Sequence, residues 1–341
     1  MNEHCILGLD IGGANLKAAT ADRRAVSVPF PLWKDKDNLG RQLRRLVDRF
    51  PEAESFAVTM TGELCDCYET SAEGVAHILD AVRGSVRSFP THVWSTKGTF
   101  LTVDAAKSNP MLVAAANWHA TASWAGRFVS RGVGLLLDIG STTTDLITLF
   151  DGEVRTQGKT DVERLENGEL IYTGIGRTPA ATLLPAGRHA SELFATVQDA
   201  YLLLKRIAEQ PENANTADGR PATRDHAHGR MARMLGGDRL QTSPDATETL
   251  AETMIANQWS LLFDAVAKQA VAMRGNRIAS LDPDKQIAIT CGSGEFLALQ
   301  LATAVRPTFT DVISLGDHLG PELAECAPAY AVAVLAQERG L

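Results

Sequence analysis

The chain has 341 residues, of which 45% are hydrophobic and 22% charged, with a net charge of −8. This length suits two ordinary domains, and the acidic balance argues against nucleic acid or an anionic membrane as a partner, because phosphate polymers require a basic surface. We find no apolar run long enough to span a bilayer, no signal-peptide pattern and no disulfide framework among five scattered cysteines, and therefore expect a cytoplasmic protein that binds small molecules.

The predicted elements alternate between strands and helices along the whole chain. In the first part we predict a hairpin at 6–20, helices at 41–50, 74–86 and 110–124, and strands at 56–60 and 100–103. In the second part we predict a hairpin at 135–148, a short apolar segment at 169–172, helices at 191–208, 246–274 and about 327–339, and a strand at 286–290. This alternation predicts α/β lobes, and the apolar last helix should be buried between them.

An internal repeat organises this pattern. The sequence Leu-Asp-Ile-Gly occurs at 9–12 and again at 137–140, each time after a short apolar run and before a second β-prone run. Apolar runs bounded by glycines favour buried strands, so both halves of the chain are expected to open with the same hairpin. A duplicated domain is the simplest explanation, with a first lobe at 1–130 and a second at 131–341.

The turn of each hairpin is a candidate phosphate loop, because glycine lets backbone N–H groups converge on an anion. The two loops consist of Gly12, Gly13, Ala14 and Asn15, and of Gly140, Ser141, Thr142 and Thr143. Lys17 would add a positive charge. Asp10 and Asp138 end the two strands, where they would hold Mg²⁺ through water, and either could serve as a catalytic base. One such turn is common in proteins without a ligand, but two matching copies favour phosphate binding.

A third glycine turn follows the strand predicted at 286–290. Its residues are Gly292, Ser293, Gly294 and Glu295. Such a turn lets a flat ring or ribose approach the backbone, although it is more often only a tight connection to a helix. Its position after two phosphate loops favours an adenosine pocket, which would make ATP a second ligand beside Mg²⁺.

The order of these three motifs resembles that of the sugar kinase/Hsp70/actin superfamily. The resemblance implies an α/β fold with two RNase H-like lobes around a central cleft. It covers nearly the whole chain, but the motifs themselves are short.

Longer strings narrow the resemblance to a hydantoinase/oxoprolinase-related subfamily linked to tetrahydromethanopterin one-carbon metabolism. They are the segments 60–68, 108–110, 116–118, 172–174, 177–179 and 218–223. The resemblance implies a transferase of methanofuran or methylofuran synthesis, which joins a tyramine-type phenol to an aminomethylfuran-methanol diphosphate and releases diphosphate. Its implied substrate contacts are Thr61, Gly62, Asn117, Thr173, Gly174 and Arg177.

A phenol with a pKa near 10 needs a base or electrostatic help to react at neutral pH. The carboxylates near predicted strand ends are Glu63, Asp66, Asp104 and Asp138. Strand ends gather over the ligand crevice of an α/β fold, so each is a candidate base. The alternative is that Glu63 or Asp66 only caps the following helix.

Several alternatives stay open at this point. The phosphate and adenosine motifs alone favour an ATP-dependent kinase, and the superfamily also contains nonenzymatic nucleotide switches. The arginine-rich segment 209–245 is either an exposed polar insertion or a mobile lid for an anionic substrate. Cys65 and Cys67 lack a second ligand pair, which argues against zinc. Whether chains form a homo-oligomer is not determined by the sequence.

Overall fold

The computed structural model describes residues 5–86, 89–276, 280–282, 284–305 and 308–341. The first part contains β1 (Ile6–Ile11), β2 (Asn15–Thr20), β3 (Ala25–Pro29), α1 (Leu32–Asp35), α2 (Leu39–Val47), β4 (Ser55–Met60), α3 (Ser71–Ser85), β5 (Thr91–Trp94), β6 (Phe100–Thr102), α4 (Val103–Ser108) and α5 (Asn117–Ala125). Within these described ranges, no helix is both long enough and apolar enough to cross a bilayer.

The second part begins with the repeated hairpin. It contains β7 (Val133–Ile139), β8 (Thr144–Phe150), β9 (Glu153–Val154), α6 (Asp161–Glu166), β10 (Leu170–Ile171), α7 (Val197–Leu203), α8 (Arg224–Met234), α9 (Pro244–Asn276), β11 (Gln286–Cys291), α10 (Glu295–Ala304), β12 (Asp311–Ser314), α11 (Leu315–Leu319), α12 (Pro321–Glu325) and α13 (Ala327–Glu338).

Two sheets that share an arrangement of five strands form the two lobes. The first has the order β3-β2-β1-β4-β5-β6, and the second has the order β10-β8-β7-β11-β12, with β9 paired to β8. In each sheet the central strand is antiparallel to its hairpin partner and parallel to the strand on its other side. The next strand outward is again parallel. This shared arrangement confirms the prediction of two RNase H-like α/β lobes.

Helices α5 and α13 pack between the two sheets. One buried cluster joins Ala57 of the first sheet to Leu136 of the second through Trp124 of α5 and Tyr330 of α13. On the first sheet, α13 lies so close to β1 that a Cβ atom on Gly8 would overlap the carbonyl of Ala329. The expected burial of the C-terminal helix between the lobes is confirmed, and this helix therefore covers a sheet formed by the opposite end of the chain.

Two of the predicted helices are much shorter than expected. The helix predicted at 110–124 is a single 3₁₀ turn at Pro110–Leu112 followed by α5, because Ala115 adopts a φ of 45° that no helix contains. The helix predicted at 191–208 is reduced to α7. A capping box at Thr196 starts α7, and Lys205 follows its end with a φ of 56°.

The segment 209–245 contains a helix that packs into the second lobe. Its helix α8 buries Ala227, Met231 and Met234 in the core of the second lobe. Arg230 is fully buried, and its guanidinium lies 2.7 Å from Asp199 and 2.9 Å from Asp218. The other arginines of the segment also pair with carboxylates: Arg220 and Arg233 with Asp218, Arg224 with Glu209, and Arg239 with Asp225. The segment therefore has exposed stretches on either side of α8, while α8 itself is part of the core, and a role as a lid stays a prediction.

Candidate active site

The two candidate phosphate loops have the same backbone geometry. The N–H of Gly12 donates to the carbonyl of Asn15 at 3.0 Å, and the N–H of Gly140 donates to the carbonyl of Thr143 at 2.8 Å. Within the described residues, the N–H groups at the second and third positions of each loop donate to no protein acceptor. Both turns therefore present free backbone donors, which is what anion binding requires.

Asp10 and Asp138, near the ends of β1 and β7, interact electrostatically. Asp10 is 4% exposed, and its Oδ1 atom has no hydrogen-bond partner among the described residues. Burial raises the pKa of Asp10, while Lys17 opposes this rise. Burial, followed by the charge of Asp145, raises the pKa of Asp138 to about 7; Lys17 and the Cys291 thiol oppose the rise, and Asp10 adds to it.

Glu63 is a buried carboxylate with one unsatisfied oxygen. Its side chain is 1% exposed, its Oε1 accepts the N–H of Ala115 at 2.9 Å, and its Oε2 has no partner in the described part of the chain. Burial raises its pKa to about 7, against two backbone hydrogen bonds, and the charges of Asp161 and Asp10 add to the rise. The pKa of Glu63 thus depends on charges in both lobes.

The local backbone fixes Glu63 tightly. It lies in a one-turn 3₁₀ helix, Gly62–Leu64, directly after β4. Helix α3 packs on this turn so closely that a Cβ atom on Gly74 would lie 2.5 Å from the Glu63 carbonyl oxygen. Ala115, whose amide binds the carboxylate, has a φ of 45°, a strained conformation for a residue with a side chain. The helix-capping alternative for Glu63 is not observed, because Thr70 caps α3.

Four further residues lie near these carboxylates, and the sequence analysis did not identify them as functional. They are Arg164, Asp145, Asp161 and Trp118. Arg164 is 1% exposed and lies 2.6 Å from Asp145, 3.7 Å from Asp161 and 4.0 Å from the ring centre of Trp118. Asp145 raises the pKa of Asp138, and Asp161 raises that of Glu63. Of these four, Asp145 could have been found from the sequence, because it lies two residues after the second loop. The other three are brought to the site by packing between distant parts of the chain.

The segment 173–178 packs against the second phosphate loop. The N–H of Ile175 donates to the carbonyl of Gly140 at 3.0 Å, and the N–H of Arg177 donates to that of Ser141 at 2.8 Å. A Cβ atom on Gly174 would overlap the carbonyl oxygen of Gly140. Thr173 is buried and accepts a hydrogen bond from Gln258 at 2.8 Å. Gly174 and Thr173 therefore support the loop from inside the lobe.

Arg177 behaves differently from its neighbours. Its side chain is exposed, and its guanidinium lies 5.2 Å from the ring centre of Trp33 on α1 of the first lobe. This cation–π contact bridges the two lobes. Arg177 is therefore the predicted substrate residue of this segment that remains accessible.

The third glycine turn is shaped by its packing against the second loop. Gly292 has a φ of 91°, and a Cβ atom there would overlap Oδ1 of Asp138. A Cβ atom on Gly294 would lie 2.6 Å from the Ile139 side chain. The carboxylate of Glu295 accepts hydrogen bonds from Thr290, Ser314 and the N–H of Gly316. Glu295 thus holds β12 and α11 in place, and the ligand role expected for it stays a prediction.

The remaining predicted residues differ in whether they lie beside the first loop. Thr61 and Gly62 lie beside the first loop, and the N–H of Thr61 donates to the Ile11 carbonyl at 3.0 Å. Asp66 and Asp104 are exposed, and Asp104 pairs with Arg83. The Asn117 side chain accepts the N–H of Trp118 at 2.7 Å at the start of α5. Asp10, Asp138, Glu63 and Lys17 thus share one electrostatic environment, whereas Asp66 and Asp104 are exposed to solvent.

Asp10 and Asp138 are the carboxylates that would hold Mg²⁺. No group of three or more His, Cys, Asp or Glu residues suited to a metal occurs among the residues described. The orphaned Oδ1 of Asp10, close enough to Asp138 to raise its pKa, fits an ion that keeps most of its waters.

Comparison with known proteins gives consistent matches over most of the chain. Residues 54–339 match the Hydantoinase/oxoprolinase family model. A relative from Methanocaldococcus jannaschii, named (4-{4-[2-(gamma-L-glutamylamino)ethyl]phenoxymethyl}furan-2-yl)methanamine synthase, is 33% identical over 98% of each chain. A relative of the same name from Methanococcus vannielii is 30% identical over 61% of this chain and 94% of its own. A solved acetone carboxylase, 13% identical, covers 96% of this chain and 70% of its own with a TM-score of 0.58, which indicates a shared fold.

Proposed function

The chain belongs to the hydantoinase/oxoprolinase family, and from that premise we propose that it is a transferase of methanofuran-type cofactor synthesis. Its reaction would join a tyramine-type phenol to an aminomethylfuran-methanol diphosphate and release diphosphate. The observation that carries this proposal is the 33% identity to the archaeal synthase over 98% of both chains. The name of that relative describes a phenoxymethyl-furan ether, whose formation requires a phenol oxygen and a furanylmethyl carbon with a leaving group.

The two loops would bind the diphosphate. Their free N–H groups donate to phosphate oxygens, and Lys17 adds a positive charge beside both carboxylates. Asp10 and Asp138 would hold Mg²⁺ through water, and the bound ion would neutralise charge on the departing diphosphate. Donors fixed in advance around a leaving group stabilise the charge that develops as its bond breaks.

Glu63 would accept the proton of the phenol. The phenol oxygen forms the bond to the furanylmethyl carbon, the bond from that carbon to the diphosphate oxygen breaks with its electron pair, and the phenol proton passes to Oε2 of Glu63. A pKa of about 7 suits this role, because a base works best when its pKa lies near the working pH. The unpartnered Oε2 is the atom with free hydrogen-bonding capacity.

An ATP-dependent kinase is the alternative function. It was suggested by the third glycine turn, but the packing of Gly292 and Gly294 on the second loop accounts for both glycines without a bound ring. A bulky residue at 294 would disturb that loop in either enzyme. Such a substitution therefore does not distinguish a kinase from a transferase.

Product stoichiometry distinguishes the two functions. We expect purified protein with Mg²⁺, γ-glutamyltyramine and the furan diphosphate to release one diphosphate per ether formed, with or without ATP. Asp10→Asn and Asp138→Asn should each lower turnover by about 100-fold, since each removes a charge that stabilises the transition state. Asp104→Asn, at an exposed carboxylate, is the matched control. ADP formed in proportion to product would contradict the proposal.

A further inference from the structure

A separate cavity of about 540 Å³ lies where the two lobes meet the C-terminal helix. Its walls include Lys97 from the first lobe, Glu153 and Lys159 from the second, and Arg339 just after α13. None of its lining residues belongs to the phosphate loops or the third glycine turn. A pocket built from both lobes is a common position for a small ligand.

The cavity is positively charged in an acidic protein. Three cations and one carboxylate line it, whereas the whole chain has a net charge of −8. In the described ranges, no carboxylate lies within ion-pair distance of Lys97, Lys159 or Arg339. This contrasts with the arginines of segment 209–245, all of which pair with acidic side chains.

Uncharged groups hold the guanidinium of Arg339 in the cavity wall. Arg339 donates to the carbonyl of Gly98 at 2.9 Å and stacks 4.9 Å from the ring centre of Trp94. His119 forms part of the wall, and burial, followed by the charge of Lys159, lowers its pKa to about 3. The imidazole is therefore neutral at physiological pH and offers a hydrogen-bonding group without adding charge.

Two chain segments contribute to both this cavity and the site around Glu63. Leu112 and His119 line the cavity, and Ala115 between them binds the Glu63 carboxylate. Lys159 lines the cavity two residues before Asp161, whose charge acts on Glu63.

We propose that this cavity binds the amino-acid end of the acceptor substrate, an inference that rests on the proposed transferase function. Lys97, Lys159 and Arg339 would surround its carboxylate, and Glu153 would face its ammonium group. The phenol at the other end of the acceptor would then lie toward Glu63. This site would select acceptors that carry a free amino-acid carboxylate over simple phenols.

The test compares γ-glutamyltyramine with tyramine, which lacks the carboxylate. Lys97→Gln and Lys159→Gln should each raise KM for γ-glutamyltyramine by about tenfold with little change in kcat, because each removes a charge-assisted hydrogen bond. The KM for tyramine should not change. Lys268→Gln, at an exposed lysine on α9, is the matched control. Equal changes for both acceptors, or none, would overturn the proposal.

Calorimetric titration separates this inference from the reaction itself. The wild-type protein should bind γ-glutamyltyramine without any donor substrate, and the double variant Lys97→Gln/Lys159→Gln should bind it at least tenfold more weakly. Binding of inorganic diphosphate should be the same in both proteins. If binding follows this pattern but no ether forms, the cavity stands and the transferase reaction fails. If the double variant loses diphosphate instead, the cavity is a phosphate site and the inference is wrong.

Discussion

At the scale of single residues, Glu63 combines a buried carboxylate, a free oxygen and a pKa of about 7. If it is the base, Glu63→Gln should lower kcat/KM by about 10² to 10⁴-fold with a tyramine-type acceptor. The glutamine keeps an oxygen for the Ala115 amide, so the local fold should persist. With a ring-fluorinated acceptor, whose phenol ionises more readily, the loss should shrink to about tenfold or less. Steady-state kinetics with both acceptors measures this difference.

The pH profile alone does not distinguish the ionisation of Glu63 from that of Asp138, so the two acceptors must be compared. Glu63 must be ionised to accept a proton, so kcat/KM should fall as the pH drops below about 7. Asp138 also has a pKa of about 7 and must be ionised to hold a cation, so both groups contribute to the same limb. An equal loss for both phenols in Glu63→Gln would assign Glu63 a structural role.

Some of these residues could be predicted because the pattern that identifies them lies in the neighbouring sequence. Asp10 and Asp138 lie near the ends of buried strands in a repeated motif, and that pattern was sufficient to identify them. The environment of Glu63 could not be predicted, because its pKa depends on a contact with Ala115 and on the charge of Asp161. Arg164 was missed for the same reason: its burial against Trp118 depends on contacts between lobes.

At the scale of elements, the segment 173–178 is what supports the second phosphate loop. Gly174→Ala would force a methyl group into the Gly140 carbonyl, so we expect it to destabilise the fold by about 1–3 kcal/mol and to lower turnover. Gly84→Ala in α3 is the matched control, because nothing lies within 4 Å of its Cβ position. It should stabilise the protein by about 0.5–1 kcal/mol with unchanged turnover. Urea unfolding and activity assays measure both. Unaltered turnover in Gly174→Ala would show that the loop does not depend on this support.

Element boundaries show where sequence periodicity is insufficient. The long α9 and the central strands were predicted well, because each has a continuous apolar pattern. The prediction of one helix at 110–124 was wrong. The alanines of this segment favour a helix, but Ala115 has a positive φ that interrupts it. The segment 209–245 was predicted as exposed because it is polar, but buried ion pairs around Arg230 compensate for that polarity.

In the molecule as a whole, two sheets that share an arrangement of five strands carry matching loops, and the aspartates beside these loops interact electrostatically. The repeat made this architecture predictable, since both copies share a hairpin and a glycine turn. The reaction does not follow from the architecture, because a kinase and a transferase can use the same loops. The proposed reaction is supported instead by the similarity to the archaeal synthase and by the chemistry available at Glu63.

The most direct test of this account is to follow the phenol oxygen. γ-Glutamyltyramine labelled with ¹⁸O at the phenol should be incubated with the furan diphosphate, Mg²⁺ and ATP, and the products analysed by mass spectrometry. For a transferase we expect that the label is retained in the ether, that the released diphosphate is unlabelled, and that no ADP forms. A label found in an aryl phosphate, together with an equal amount of ADP, would contradict it and identify the enzyme as a kinase.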